Sequence, residues 1–171
     1  MKNGKKVYYW DANIFLTACK KEAHVPDILQ GASNVLEMLD KGDCILVTSV
    51  ITRIEFLEAV NEKASKIFNE ILQRSNVFVQ QVTEPIVEKA REVRYHCREA
   101  KRSILKVPDA IHAATAILMK VDELHTHDGD LLKLSDLLDE VYHLKVNVPP
   151  IPAQGKIVFS TTKPPGKEGK D

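Results

Sequence analysis

No apolar run in this 171-residue chain approaches the roughly 18 residues that a membrane-spanning helix requires. The opening Met1-Lys2-Asn3-Gly4-Lys5-Lys6 leads into only four apolar residues before Asp11. That is too short for a secretory core, so the expectation is a cytoplasmic protein without a signal peptide and without a membrane partner. Cysteine is scarce too: Cys19, Cys44 and Cys97 are scattered and odd in number, with neither zinc spacing nor a disulfide framework, which suits a reducing compartment. Net charge is also missing, because 24 Lys and Arg offset 24 Asp and Glu. The basic footprint of a dedicated nucleic-acid binder is therefore absent. Any nucleic-acid site must be a local patch or borrow positive charge from metal ions. The chain also lacks an internal repeat.

What is present fits one soluble domain with a real core: 44% of residues are hydrophobic and 28% charged. Short apolar runs alternate with helical patterns, the signature of an α/β fold with a mostly parallel sheet. Val7-Tyr8-Tyr9-Trp10 reads as a first strand and stops at Asp11. Helical stretches follow over about 13–22 and 27–41, divided by Pro26 and ended by Gly42. Cys44 to Val47 is a second strand, and Thr48 or Ser49 is expected to cap a helix running to about Glu62, with a further helical stretch to about Arg74. Val77 to Val79 reads as a third strand. Thr83 is expected to cap a long helix whose apolar stripe is Ile86, Ala90, Val93, Cys97 and Ala100. A helix from Asp109 to about Lys120, a strand from Glu123 to Thr126 and a fifth strand within Val141 to Val148 complete the pattern. The domain is thus expected over residues 1–148, with a Pro-, Gly- and Lys-rich tail over 149–171 that lacks fixed structure, although Lys156 to Phe159 has the composition of an edge strand.

Several carboxylates fall at places where this architecture binds ligands, outside the carboxyl ends of strands. Asp11 follows the first strand, where it would also serve as an ordinary N-cap. Asp109 lies in the first turn of an Ala-rich helix, where an acid complements the helix dipole. Asp128 and Asp130 flank Gly129 after the fourth strand, a pattern a simple turn would share. Glu55 sits among Val50, Ile51, Ile54, Phe56, Leu57 and Val60, apolar residues all round a helix, so it is expected to be buried and either paired with a Lys or Arg or bound to metal. His112 reads as a hydrogen-bonded core residue. His125 and His127 would share one face of a continuing strand, but no third ligand at a zinc spacing accompanies them. Four clustered carboxylates repel one another unless cations neutralise them, and hard oxygens without Cys or His favour Mg²⁺ or Mn²⁺. Such ions activate water for an in-line phosphoryl displacement.

Four segments in order carry a resemblance: Tyr9-Trp10-Asp11-Ala12-Asn13-Ile14-Phe15-Leu16, Ser49-Val50-Ile51-Thr52-Arg53-Ile54-Glu55, Pro108-Asp109-Ala110-Ile111-His112-Ala113-Ala114, and Leu124-His125-Thr126-His127-Asp128-Gly129-Asp130-Leu131. Together they make residues 6–145 resemble a PIN-domain protein, similar to the VapC-type toxins of toxin–antitoxin pairs. The resemblance implies a three-layer α/β/α fold with a central, mostly parallel sheet of four to five strands. It implies Mg²⁺- or Mn²⁺-dependent endonucleolytic cleavage of single-stranded RNA, leaving a 5′-phosphate and a 3′-hydroxyl. Asp11, Glu55, Asp109 and Asp128 take the metal-ligand positions, and Asp130 a position that contributes in some members. Asn13 and Thr126 match small polar residues that support the carboxylates or their waters. Homodimers and a small antitoxin that blocks the site are implied as partners. Leu131 departs from the family, which often has an aromatic residue there, and the tail exceeds a minimal toxin. A housekeeping RNA nuclease and a non-catalytic RNA- or protein-binding module of the same fold therefore stand beside the toxin reading.

Two other metal-dependent α/β enzymes are excluded by a residue their chemistry needs. A haloacid-dehalogenase-like phosphatase requires a second Asp where Asn13 stands, and a receiver domain requires an Asp after its third strand, where Gln80-Gln81-Val82 follows. A neutral nuclease needs a local positive patch, and Lys101, Arg102 and Lys106, just ahead of Asp109, are the expected contacts to the RNA backbone.

Overall fold

The first strand, β1 (Lys6–Trp10), sends Val7 and Tyr9 into one core and Tyr8 and Trp10 into the other, the period-2 alternation of a strand covered on both faces. The structure, a computed structural model, describes residues 4–21, 25–57, 61–100 and 105–151. After β1 come α1 (Ala12–Lys20), α2 (Pro26–Lys41), β2 (Cys44–Ser49), α3 (Thr52–Leu57), α4 (Glu62–Leu72) and β3 (Val77–Gln80). The second half adds α5 (Glu84–Glu99), α6 (Val107–Leu118), β4 (Glu123–His125), α7 (Gly129–Leu132), α8 (Ser135–Tyr142) and β5 (Lys145–Asn147).

The five strands lie in the order β3-β2-β1-β4-β5, and every pairing is parallel. The chain winds outward from β1 to β3, returns to the other side of β1, and winds outward again. β1 is therefore the point where winding reverses, and its carboxyl end is where such sheets bind ligands. On one face, α1, α2 and α4 cover the sheet through Phe15, Val35 and Phe68; on the other, α5, α6 and α8 do so through Val93, Ala113 and Leu138. This is the three-layer α/β/α arrangement expected from the sequence. The alanines of α6 (Ala110, Ala113, Ala114 and Ala116) are all fully buried, and side chains this small let the helix sit close to α5 and β2.

Several boundaries differ from the sequence expectation. Pro26 is the first residue of α2 rather than a break before it, which suits a residue whose missing N–H would be unpaired there. Gly42 ends α2 as expected, with φ at 73°. Thr48 and Ser49 do not cap a helix but extend β2, and the Thr48 hydroxyl donates to the Trp10 carbonyl at 2.8 Å across the sheet. The long helix expected after them is instead the six-residue α3, followed by α4, which begins at Asn61 with a side-chain cap on the Ala64 N–H. Thr83 stands at the N-cap of α5 without a side-chain capping bond, and Ala100, assigned to the apolar stripe, is exposed beyond the helix end. Val141 and Tyr142 belong to α8, so only Lys145–Asn147 of the last apolar run is a strand.

Beyond β5 the chain crosses α2. Pro149 is buried, and a Cβ on Gly31 would lie 2.2 Å from its carbonyl oxygen, so only glycine permits the approach. The Asn34 amide donates to the Pro150 carbonyl at 2.9 Å and fixes the crossing. The first residues after Val148 are thus held on the domain; residues 152–171, including Lys156 to Phe159 with their edge-strand composition, lie outside the described residues.

Candidate metal centre

Asp11 ends β1 and starts α1. Its Oδ1 accepts the Ile14 N–H at 3.3 Å, so the N-cap reading is correct, yet the side chain is only 4% exposed. Burial pushes its pKa up from 3.8 to about 6, against the pull of His112, Thr126, the Ile14 N–H and His127. Thr126 is fully buried, and its hydroxyl accepts from the Asn13 amide at 3.1 Å and from the Asp128 N–H at 2.9 Å, while its side chain also helps to lower the Asp11 pKa. Asn13 in turn accepts the His127 N–H at 3.2 Å. Asn13 and Thr126 therefore tie the start of α1 to the loop after β4 and hold Asp11 and Asp128 in one framework.

Asp128 caps α7 through Oδ1, which accepts the N–H groups of Asp130 at 2.7 Å and Leu131 at 3.2 Å. Asp109 lies in the first turn of α6, and its Oδ2 is buried with no hydrogen-bond partner among the described residues. Burial, then Asp128 and more weakly Glu55, raise its pKa, while His112 and Lys106 pull it down. Asp109 thus feels the charges of both Asp128 and Glu55, while Asp11 stands at the carboxyl end of β1.

Glu55 departs from expectation. α3 is short, Ile54 beside it is 66% exposed, and the Glu55 side chain is 31% exposed rather than enclosed. Its partner is neither Lys nor Arg but His112, whose Nε2 lies 2.8 Å from Oε2. Asp130 does not join the others; its carboxylate pairs with Lys133 at 3.2 Å on the surface. His125 and His127 part company, because the strand stops at His125. The His125 ring is buried beside Trp10, whereas His127 Nε2 meets the Thr17 hydroxyl at 3.2 Å. Of the basic residues expected to meet RNA, Lys106 is exposed at the N-cap of α6, while Lys101 and Arg102 lie outside the described residues.

Among the described residues no three His, Cys, Asp or Glu side chains close into a ready metal cage. The donor chemistry nevertheless fits a hard divalent cation. One carboxylate oxygen is buried without a partner, a second carboxyl is driven toward protonation by burial, and the neighbours that raise Asp109 are themselves carboxylates. A cation relieves all three at once.

Tyr9 and His112 are the residues whose part sequence reasoning missed. His112 is the core histidine it was read to be, 2% exposed, but it also reaches a site carboxylate. Its place three residues after Asp109, on the same face of one helix, was the available signal.

The family profile of the PIN domain matches residues 8–137. Direct comparison with curated proteins finds no match. Among solved structures, the chain is similar to VapBC2 from Rickettsia felis, crystallised with a DNA fragment from its promoter, at a TM-score of 0.59 and 18% identity over 82% of this chain and 98% of that one. It is similar to VapBC-1 from nontypeable Haemophilus influenzae (0.56, 20% identity, 82% and 96% covered). It is also similar to VapC20 from Mycobacterium tuberculosis, a sarcin–ricin loop cleaving toxin (0.55, 17% identity, 74% and 93% covered).

Proposed function

The chain belongs to the PIN-domain family, and we propose that it is a divalent-metal-dependent endoribonuclease that hydrolyses phosphodiester bonds of single-stranded RNA as the toxin of a type II toxin–antitoxin pair. The observation that carries the reading is the buried, unpartnered Oδ2 of Asp109 among like charges. A buried carboxylate oxygen without a protein partner is costly, and a cation that meets it relieves the cost. Asp11, Glu55, Asp109 and Asp128 are the residues that hold Mg²⁺ or Mn²⁺. A cation bound there would make it easier for an attacking water to give up its proton and would offset charge on the phosphoryl oxygens. The chain's own contribution is positional: Thr126 and Asn13 lock Asp11 to the Asp128 loop, and burial keeps bulk water from Asp11.

The RNA substrate and the toxin role draw on the fold shared with a toxin that cleaves the sarcin–ricin loop and with VapBC assemblies. An antitoxin that covers the site, a homodimer and a cytoplasmic home complete the proposal; among the described residues no helix is long and apolar enough to cross a membrane. Lys106, with Lys101 and Arg102, steers the RNA backbone toward the carboxylates. In the test, Asp11→Asn and Asp109→Asn abolish Mn²⁺-dependent cleavage of single-stranded RNA while circular dichroism shows an intact fold. Wild-type protein that cleaves no RNA or DNA with any divalent metal transfers the site to a non-catalytic binding module.

A further inference from the structure

Glu55 is the one candidate ligand with weak local support. It stands on a six-residue helix beside the exposed Arg53 and Ile54, with its own side chain part-exposed. A glutamate in that setting samples many rotamers. Among the described residues, its contact to the interior is the bond between His112 Nε2 and Oε2 at 2.8 Å. His112 is buried, and its other nitrogen meets the Tyr9 hydroxyl at 2.7 Å. Tyr9 is fully buried in the central strand.

With a carboxylate accepting at one end of this path, Nε2 carries the ring proton, and Nδ1 then accepts from the Tyr9 hydroxyl. The path runs from β1 through α6 to α3, so two firmly packed elements fix a carboxylate that its own helix does not.

We infer that Tyr9 and His112 are positioning residues: the Tyr9–His112 pair tethers the Glu55 carboxylate from behind so that Glu55 is presented to the cation in a single orientation. The tether uses one carboxylate oxygen and brings no Lys or Arg that would compete with a metal. The inference rests on the metal-dependent reading above, with His112 acting through Glu55 rather than on substrate. Partners of this kind, one bond behind a metal ligand, change metal affinity by roughly 10–100-fold when removed.

The test uses the full chain in two arms. In the first, Mn²⁺ affinity is measured by calorimetry, and thermal unfolding is followed in parallel, for wild type, His112→Leu, His112→Gln and Tyr9→Phe. His112→Leu weakens Mn²⁺ binding by about 10-fold or more, whereas His112→Gln, which keeps an amide donor, recovers most of it. Tyr9→Phe falls between them, and all unfold cooperatively. Affinity in His112→Leu within about twofold of wild type, or a Gln variant no better than Leu, overturns the inference. The second arm needs no metal. Long-range ¹H–¹⁵N spectra find the His112 proton on Nε2 in wild type, with the signal altered in Tyr9→Phe and in Glu55→Gln. A proton on Nδ1, or a signal indifferent to both changes, overturns the tether. If wild type binds no Mn²⁺, the nuclease reading falls, and the spectra alone uphold or overturn the Tyr9–His112–Glu55 tether.

Discussion

β1 hands an aromatic residue to a histidine on each of its faces: Tyr9 to His112 at 2.7 Å on one side, Trp10 to His125 at 3.1 Å on the other. Beyond the histidines the two sides diverge. His112 continues to Glu55 at the edge of the candidate site. His125 ends in the core, its Nε2 buried without a hydrogen bond and 3.6 Å from Glu123, too long for one. The carboxylates diverge in sign as well. His125, with Asn147 and Lys6, holds Glu123 below its ordinary pKa, whereas burial drives Asp11 and Asp109 above theirs. The same residue types therefore favour a carboxylate's charge at one place, the settled side, and leave it opposed at the other, the unsettled cluster. The unsettled cluster is the one at the carboxyl end of the central strand, where a ligand enters. Stability and binding experiments separate the two.

The largest expected effect concerns Asp11. Its folded pKa of about 6 lies above the ordinary 3.8, so folding disfavours the charged form. Stability from this group is full below the unfolded value, where both states are protonated, and is lost as pH rises through about 6. The loss amounts to ~3 kcal/mol above that range. Asp11→Asn keeps an N-cap oxygen and removes the charge. In chelator at pH 7.5, denaturant unfolding should find the variant more stable by ~2–3 kcal/mol, with the gap closed near pH 4. Adding Mn²⁺ should stabilise wild type and not the variant. A variant no more stable than wild type at pH 7.5 would show that the cluster is not under strain.

His125→Phe probes the settled side. The ring keeps its place beside Tyr8, now 4.6 Å between centroids, but the Trp10 N–H loses its acceptor inside the core. An unsatisfied buried donor costs ~2 kcal/mol, which chemical denaturation at pH 7.5 would register. Burial lowers the pKa of His125 from 6.5, so the unfolded chain takes up the proton first and wild-type stability falls as pH drops below that value. The variant lacks that part of the decline. Its Mn²⁺ affinity is unchanged, and a several-fold loss would mean that the two histidines are not different in kind.

How much of this was legible in sequence depends on how local the cause is. Asp11, Asp109 and Asp128 were readable because each marks an end of a strand or helix, and such ends are set by neighbours in the chain: Trp10 before Asp11, Pro108 before Asp109, Gly129 after Asp128. The parallel three-layer fold was readable for the same reason, from apolar runs and breaks. Glu55 joins the group in sequence on an expectation of burial that the structure does not bear out. Six apolar neighbours suggested burial, but β2 takes up Thr48 and Ser49 and leaves only a short helix with Ile54 turned outward. Its actual partner lies 57 residues away in sequence, and no local pattern reports a bond of that reach. Pro149 on Gly31 is of the same kind, a contact that exists only after β5 has been laid beside β4.

Asp130 provides the smallest and most selective test. It was grouped with the other acids by its position two residues after Asp128, but that spacing at the start of α7 turns it outward. Its carboxylate is 46% exposed and its partner Lys133 71%, so water screens the pair. An exposed ion pair of this sort contributes at most about 0.5 kcal/mol. Asp130→Asn should therefore shift unfolding by no more than that and leave Mn²⁺ affinity within about twofold, while Asp128→Asn weakens binding by roughly 10-fold or more. Equal losses in the two variants would place Asp130 among the ligands and require α7 to turn when metal binds. A loss confined to Asp128 would draw the boundary of the unsettled cluster between two aspartates that stand only two residues apart.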